Sequence, residues 1–476
     1  MAAGFQSVTG EVIKGNFNFN KKYVYLISAI AALGGLLFGF DLVIISGTVS
    51  SFTSHFKLNE FETGWAVGCI NLGAAIGAVM AGKLSNTIGR KKLLMICATL
   101  FAITGACTGW AISFPLFIAF RMLSGVAVGA AALVCPMYVA EISPAPMRGK
   151  MVSFYQLSIV IGILLAYLSN YLLLNTGANN WRWMFSSQSA PSLLFFAGLF
   201  FVAESPRWLI GKKRNEEALI VLNRIGGNEY AVAEANQIAS SFAKKTTERA
   251  TDLFKKDVWP VIFIGIIVAI FSQAVGQNSL FSYAPVIFKQ AGMAEDSAFL
   301  QSIILGVVNF IFTFVAIFTI DKIGRRTLLL SGAMLLCLDA VALALCFYLN
   351  APGYYTLIFV LGFIAIYAAT LGPVTWVLLS EIFPNRLRGN AMALATVSLW
   401  IANFFTTASF PVMKQQFGLH ITFGIHAAIC LLYFVYVRKR IPETKGKSLE
   451  EIEDKLTASF KTTVNTKPDL LQTSNT

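Results

Sequence analysis

Charge along this chain is gathered into clusters that bracket long uncharged runs. Leu93 to Phe120, Met151 to Asn180, Val258 to Phe288, Ala340 to Ser380 and Gly389 to Met413 contain no Asp, Glu, Lys or Arg. A bilayer core about 30 Å thick is crossed by about 20 apolar helical residues. Each run therefore supplies at least one span, and the longest supply the greater parts of two. Backbone groups in lipid must be satisfied within the segment, which predicts helices. A transmembrane β-barrel would show short segments of alternating polarity instead. The pattern predicts an all-α membrane protein with twelve spans, at 23–49, 63–83, 93–112, 115–140, 151–174, 184–203, 258–288, 299–319, 327–349, 354–380, 390–413 and 420–437. In the polar segment 204–256, Glu216–Leu222 and Tyr230–Phe242 read as short amphipathic helices on the cytoplasmic face. Residues beyond about 456, rich in Thr, Ser, Asn and Lys, read as a disordered tail.

The pattern repeats. Gly89-Arg90-Lys91 returns as Gly324-Arg325-Arg326. Glu141-Ile142-Ser143-Pro144 with Met147-Arg148-Gly149 returns as Glu381-Ile382-Phe383-Pro384 with Leu387-Arg388-Gly389, and Glu204 returns as Glu443. All three matches share one register. Each half has an even number of spans, so both enter the membrane in the same sense and are parallel repeats about an axis along the membrane normal. That arrangement predicts a solute site between the halves near mid-membrane. The expected organisation is a cytoplasmic segment 1–22, a six-helix bundle 23–203, a cytoplasmic linker 204–257, a second bundle 258–440, and a cytoplasmic C-terminal segment and tail 441–476.

The formal net charge of +13 raises nucleic-acid binding as a possibility. The distribution argues against it. Basic residues concentrate between alternate spans, at Arg90 to Lys92, Arg148 and Lys150, Arg207 to Lys256, Lys322 to Arg326, Arg386 and Arg388, and Arg438 to Arg440. This is the positive-inside pattern, and it places both termini in the cytoplasm. The seven cysteines all lie in apolar runs without a CxxC or metal-ligand spacing, which suits packing. The first twenty residues lack the pattern of a signal peptide, so the first apolar run reads as a retained helix. There is no Gly-x-x-x-x-Gly-Lys-[Ser/Thr] loop, which disfavours an ATP-driven pump. The spacing of His55, His420 and His426 suggests no metal site, and no cofactor is expected.

Charges inside spans are costly and point to function. Asp41 lies in the first span and Arg121 in the fourth, and the economical expectation is that they meet inside the bundle. An arginine beside a carboxylate favours its ionisation, and moving the arginine away lets it take a proton. That is the physics of a proton-coupling switch; the alternative is a static ion pair. Asp339 in the ninth span has no evident sequence partner and is expected to be structural. Gln273, Gly276, Gln277 and Asn278 interrupt the seventh span, and Gly372-Pro373 breaks the tenth before Trp376. Amides offer donors and acceptors to sugar hydroxyls, and a Trp face stacks on a sugar ring. Gln156 and Asn403 add polar groups in the fifth and eleventh spans. Each alone reads as a helix–helix hydrogen bond; together they favour a hydroxylated solute. At the cytoplasmic span ends, Arg90, Glu141, Arg148, Glu204, Arg207, Arg325, Glu381, Arg388 and Glu443 read as a gate of opposite charges, against the alternative that they signal topology alone.

These elements resemble the sugar porters of the major facilitator superfamily over roughly residues 20–455. The matched set includes Gly89-Arg90-Lys91, Arg121, Pro136 to Glu141, Arg148-Gly149, Glu204-Ser205-Pro206-Arg207, Gln273 to Asn278, Asp321 to Arg326, Gly372-Pro373 to Trp376, Glu381 to Arg388 and Pro442 to Gly446. Within that family it resembles bacterial xylose–proton symporters. The resemblance implies alternating access and proton coupling through Asp41 with Arg121. It also implies sugar contacts from Gln156, Gln273, Asn278 and Trp376, to which Gln277, Trp400 and Asn403 are added as candidates, and Asp321 joins the gate. Departures include Ser272 where the family usually has glutamine, Leu399 before Trp400, Ser282 with Tyr283 displaced by one, and Asn86 for the usual aspartate. They shorten polar reach, so xylose does not transfer as the substrate.

The expectation is a secondary transporter in a bacterial inner membrane, monomeric as a functional unit, importing a pentose or hexose with a proton. An uncoupled facilitator of sugars or polyols is the alternative. A sugar sensor that no longer transports fits less well, because only about 35 residues follow the last span.

Overall fold

The computed structural model describes residues 17–243, 250–255, 258–384 and 387–445, and they are helical with no strand among them. The expected tail beyond 456 lies outside the described residues. The helices are α1 (Lys21–Ile44), α2 (Val49–Phe56), α3 (Glu60–Ile88), α4 (Arg90–Gly109), α5 (Phe114–Ile142), α6 (Arg148–Leu173), α7 (Asn180–Ser187), α8 (Ser189–Leu199), α9 (Pro206–Gly211), α10 (Asn215–Ala243), α11 (Trp259–Ala274), α12 (Gln277–Gln290), α13 (Glu295–Ile323), α14 (Arg325–Tyr348), α15 (Gly353–Ala369), α16 (Leu371–Ile382) and α17 (Arg388–Arg440).

Ten helical stretches among the described residues are long and apolar enough to cross a membrane. Many of their large apolar side chains face outward, among them Phe318, Phe405 and Leu172 at 68%, 64% and 67% exposure. Such surfaces suit hydrocarbon rather than water. Local signals start the helices: Asn20 caps α1 by accepting from the Tyr23 N–H, and Asn59 with Glu62 forms a capping box on α3.

Several expected spans are broken. The 184–203 span appears as α7 and α8, which meet at Gln188. The seventh parts into α11 and α12 at Val275–Gly276. The tenth breaks at Thr370, two residues before the expected Gly372-Pro373. The proline ring would clash with the carbonyl four residues earlier, at Ala369, so the helix ends before it and Pro373 falls in the first turn of α16. The 53-residue α17 contains a non-helical Gly418, which separates the expected spans 390–413 and 420–437. Gly226 and Gly227 interrupt α10 between the expected short helices 216–222 and 230–242.

Two compact units are distinguished. The first takes the chain to Thr247 together with Ser279–Phe310 and Thr407–Val412; the second takes Glu248–Asn278, Ile311–Thr406 and Met413–Thr476. In the first unit, glycines let helices meet backbone to backbone. A Cβ at Gly73 or Gly77 on α3 would collide with the Met122 or Val126 carbonyl of α5, and one at Gly125 or Gly129 with that of Ile70 or Ala74. Helices α1 and α6 meet in the same way, through Gly39 against Ile159 and Gly162 against Leu36. The segments 279–310 and 407–412 join this unit through backbone contacts. Tyr167 O–H donates to the Phe281 carbonyl at 2.9 Å, and Tyr283 O–H donates to that of Thr407 at 3.2 Å. In the second unit aromatic stacking is prominent, with Phe271 on Tyr433 and Phe347 on Phe423, ring centroids 5.2 and 5.7 Å apart.

Candidate functional site

The buried charges of the first unit come first. Asp41 on α1 has no solvent exposure and Arg121 on α5 has 1%. Arg121 Nη1 donates to Asp41 Oδ1 at 2.6 Å. The second carboxylate oxygen, Oδ2, accepts from the Ser124 hydroxyl and from Gln188 Nε2, the latter at 3.2 Å. Gln188 stands at the junction of α7 and α8, with helical backbone angles of φ −60° and ψ −27°. Arg121 is only partly answered. Its Nε and Nη2 are buried with no hydrogen-bond partner, and its guanidinium carbon lies 5.6 Å from the centre of the Phe185 ring. A buried ion pair is held firmly only when its remaining donors are satisfied. This pair has a well-held carboxylate and an under-satisfied guanidinium.

The amides lie in the second unit. Gln273, Gln277 and Asn278 are buried at the α11–α12 break, and Asn278 Nδ2 donates to Gln273 Oε1 at 2.6 Å. Ser272, the departure noted in the sequence, donates to the Ala269 carbonyl and accepts from Gln273 Nε2 at 3.2 Å. Its short side chain thus turns back on its own helix and orients the next glutamine. Trp400 and Asn403 are buried on α17, while Trp376 on α16 is 39% exposed. Gln156 is half-buried on α6 in the first unit.

Residues 27–456 match the family model described as "Sugar (and other) transporter". The chain belongs to this sugar transporter family. It is 39% identical to the D-xylose-proton symporter of Escherichia coli (strain K12), covering 92% of this chain and 96% of that protein. It is 37% identical to the arabinose-proton symporter of Bacillus subtilis (strain 168), covering 90% and 94%. A solved structure described as a partially occluded inward open conformation of the xylose transporter XylE from E. coli superposes with a TM-score of 0.82 at 36% identity, covering 90% of this chain and all of that one. This sugar transporter therefore has the all-helical fold of that symporter, and it is a multi-pass membrane transporter rather than an enzyme.

At the helix ends that carry the Gly-Arg motifs, the transporter repeats one corner construction within each unit. In the first, Arg90 grips Glu141 with two bonds of 2.9 Å from Nε and Nη2. In the second, Arg325 Nε and Nη2 hold Glu381 Oε1 at 3.0 and 2.9 Å. Glu204 and Glu443 each accept from backbone N–H groups at the start of a helix. Glu204 accepts from the N–H groups of Arg90 and Lys91, and Glu443 accepts from those of Arg325 and Arg326. Each carboxylate thus sits on the positive end of a helix, α4 or α14. The preceding glycines make this possible. Gly89 and Gly324 have φ of +97° and +101°, and a Cβ on either would run into the glutamate. A hydroxyl completes each corner, Ser205 to Glu141 at 2.5 Å and Thr444 to Glu381 at 2.6 Å.

The other corner residues are less engaged. Arg148 and Arg207 are exposed, and Arg207 lies 5.7 Å from the Phe242 ring. Burial pushes the Glu234 carboxyl on α10 above its usual range, and the charge of Arg148 opposes that shift. Arg388 Nη2 reaches the Phe383 carbonyl at 3.5 Å, and its Nε is buried without a partner. The side chain of Asp321 lies outside the described residues. In the first corner, Asn86 stands where the family usually has aspartate; its Oδ1 accepts from Arg90 at 3.4 Å and its carbonyl accepts from Trp208 Nε1 at 3.1 Å.

Sequence reasoning missed Ser124, Gln188, Ser205 and Thr444. Ser205 could have been found: it follows the motif glutamate and precedes Pro206, the pattern of a helix N-cap, and it accepts from the Trp208 N–H. Ser124 lies three residues after Arg121, one helical turn along the same face, which was also a usable signal. Gln188 carried none.

Proposed function

We propose that the protein imports a monosaccharide, a pentose or a hexose, together with a proton, by alternating access. The observation that carries this reading is the fully buried Asp41, with three side-chain donors aimed at its two oxygens. An ionised carboxylate only accepts hydrogen bonds; a protonated one must also donate. Arg121 and Gln188 Nε2 offer only donors. The Ser124 hydroxyl can turn in place and accept. Protonation at Oδ2 thus exchanges the Ser124 bond end for end and removes the charge that holds Arg121. The freed guanidinium, already short of partners, is the part that moves. In this reading the amides Gln273, Gln277 and Asn278 receive the sugar hydroxyls, with Gln156, Asn403, Trp376 and Trp400 contributing. Support comes from relatives named as symporters of xylose and of arabinose, two different pentoses, together with the Ser272, Ser282 and Leu399 departures; the reading commits to the sugar class rather than to one sugar.

The remaining proposals follow the charge pattern. The chain forms two six-helix halves, 23–203 and 258–440, in a bacterial inner membrane with both termini cytoplasmic, and works as a monomer. A driving force of about 150 mV supplies roughly 3.4 kcal/mol per proton, enough for about 300-fold accumulation at one-to-one coupling. The test is sugar-induced alkalinisation of a weakly buffered cell suspension, run across xylose, arabinose, glucose and myo-inositol. A coupled importer raises the external pH with its own substrate. Uptake with no pH change would make the protein a facilitator and leave Asp41 and Arg121 as a structural pair.

A further inference from the structure

The break in the seventh span leaves a chemical problem that a distant helix solves. In an unbroken helix the Ala274 carbonyl would accept from the N–H four residues on. Here α11 ends in a tightened turn: the Gly276 N–H donates to the Gln273 carbonyl at 3.1 Å, and Gly276 then swings to φ +99°. Buried carbonyls stranded in this way need another partner, and in an apolar setting none comes from solvent. Two side chains of the same unit supply donors. Tyr367 O–H on α15 donates to the Ser272 carbonyl at 3.2 Å. His426 on α17 contacts the Ala274 carbonyl through Nδ1, also at 3.2 Å. A carbonyl cannot donate, so Nδ1 carries the hydrogen.

His426 does more than donate. It is only 5% exposed, and its ring occupies the space beside Gly276: a Cβ there would lie 2.6 Å from Nδ1 and 2.7 Å from Cε1. The imidazole therefore fixes both sides of the break, the end of α11 by a hydrogen bond and the left-handed residue by contact. Gln273 stands immediately before this break, and Gln277 and Asn278 immediately after it.

We propose that His426 is a positioning residue for sugar binding: it holds the α11–α12 break so that Gln273, Gln277 and Asn278 present their amides in one fixed arrangement. The inference rests on the proposed assignment of those amides to the sugar. Its role is geometric, and it neither touches the sugar nor carries the coupled proton.

The test uses radiolabelled counterflow in proteoliposomes, with whichever of xylose, arabinose, glucose and myo-inositol the parent exchanges best. His426→Ala is expected to raise KM by roughly tenfold while the maximal exchange rate stays within about twofold, because misplaced binding groups weaken binding first. His426→Gln, which restores an N–H donor of similar reach, is expected to return KM to within about threefold of the parent. His426→Phe keeps the ring without the donor and is expected to behave like alanine. If His426→Ala does not reach the membrane, the glutamine and phenylalanine variants still decide the matter. Parental KM in the phenylalanine variant overturns the proposal, as does a glutamine variant no better than it. Gln273→Ala separates the two readings. If it leaves KM unchanged, the assignment of the amides to the sugar fails; if it weakens binding while His426→Ala and His426→Phe do not, only the positioning role fails.

Discussion

Asp41 and Asp339 both place a carboxyl within a membrane-spanning helix, and their surroundings have little in common. Asp41 has a guanidinium, a hydroxyl and an amide directed at its oxygens, and no exposure. Asp339 on α14 is half-buried. Its Oδ2 has no hydrogen-bond partner, and its Oδ1 packs into the notch left by Gly362 on α15. Lying within a span therefore does not by itself decide what a carboxyl can do. A carboxyl whose charge is answered by movable donors can exchange that charge for motion; a carboxyl packed against a glycine has nothing to release.

The contrast can be broken most directly at Arg121. Arg121→Leu strands an uncompensated carboxylate at Asp41, and loss of one partner of a buried pair costs about 3–5 kcal/mol. We expect uptake to be lost and the detergent-solubilised protein to unfold at markedly lower temperature in a thermal melt; a stable, concentrating variant would show the pair to be dispensable. Asp41→Asn is expected to bring accumulation down to equilibrium, a loss of about two orders of magnitude, while counterflow exchange stays measurable. Concentrative uptake that survived this change would remove Asp41 from the mechanism. Ser124→Ala tests the group that must reverse its hydrogen bond. Its loss removes one hydrogen bond to a charged group, about 1.5–3 kcal/mol, and coupled uptake should fall by roughly tenfold or more with exchange little changed. Equal loss in both assays would make Ser124 a packing residue. The smallest effect is expected at Asp339. Asp339→Asn should leave initial uptake within about twofold of the parent, in keeping with an isolated polar group outside the coupling site. A loss as large as that of Asp41→Asn would erase the distinction between the two carboxyls.

Much of this is legible in the sequence. Charges within long uncharged runs are expensive, so Asp41 and Arg121 announced themselves, and two such charges on one bundle have good reason to meet. The repeat was equally plain, because Gly-Arg and the motif glutamates recur in one register. What those glutamates do was not legible. Glu204 and Glu443 read as gating charges, yet they accept from backbone N–H groups, which no sequence displays. Gln188 was invisible for a related reason. A single glutamine in an apolar run has no periodic signal, and its part depends on which helix packs beside Asp41. The tenth-span break was placed two residues late because Pro373 acts backwards on the carbonyl four residues before it, so the chain bends ahead of the residue responsible.

The glycine seams of the first unit carry one further implication. Arg121 belongs to a helix fused along its length to α3, and Asp41 to one fused to α6. Neither side chain rides on a helix that is free to slide alone. The salt link is then a rivet joining two laminated slabs, and the side chain that lets go of it releases a tie among four helices.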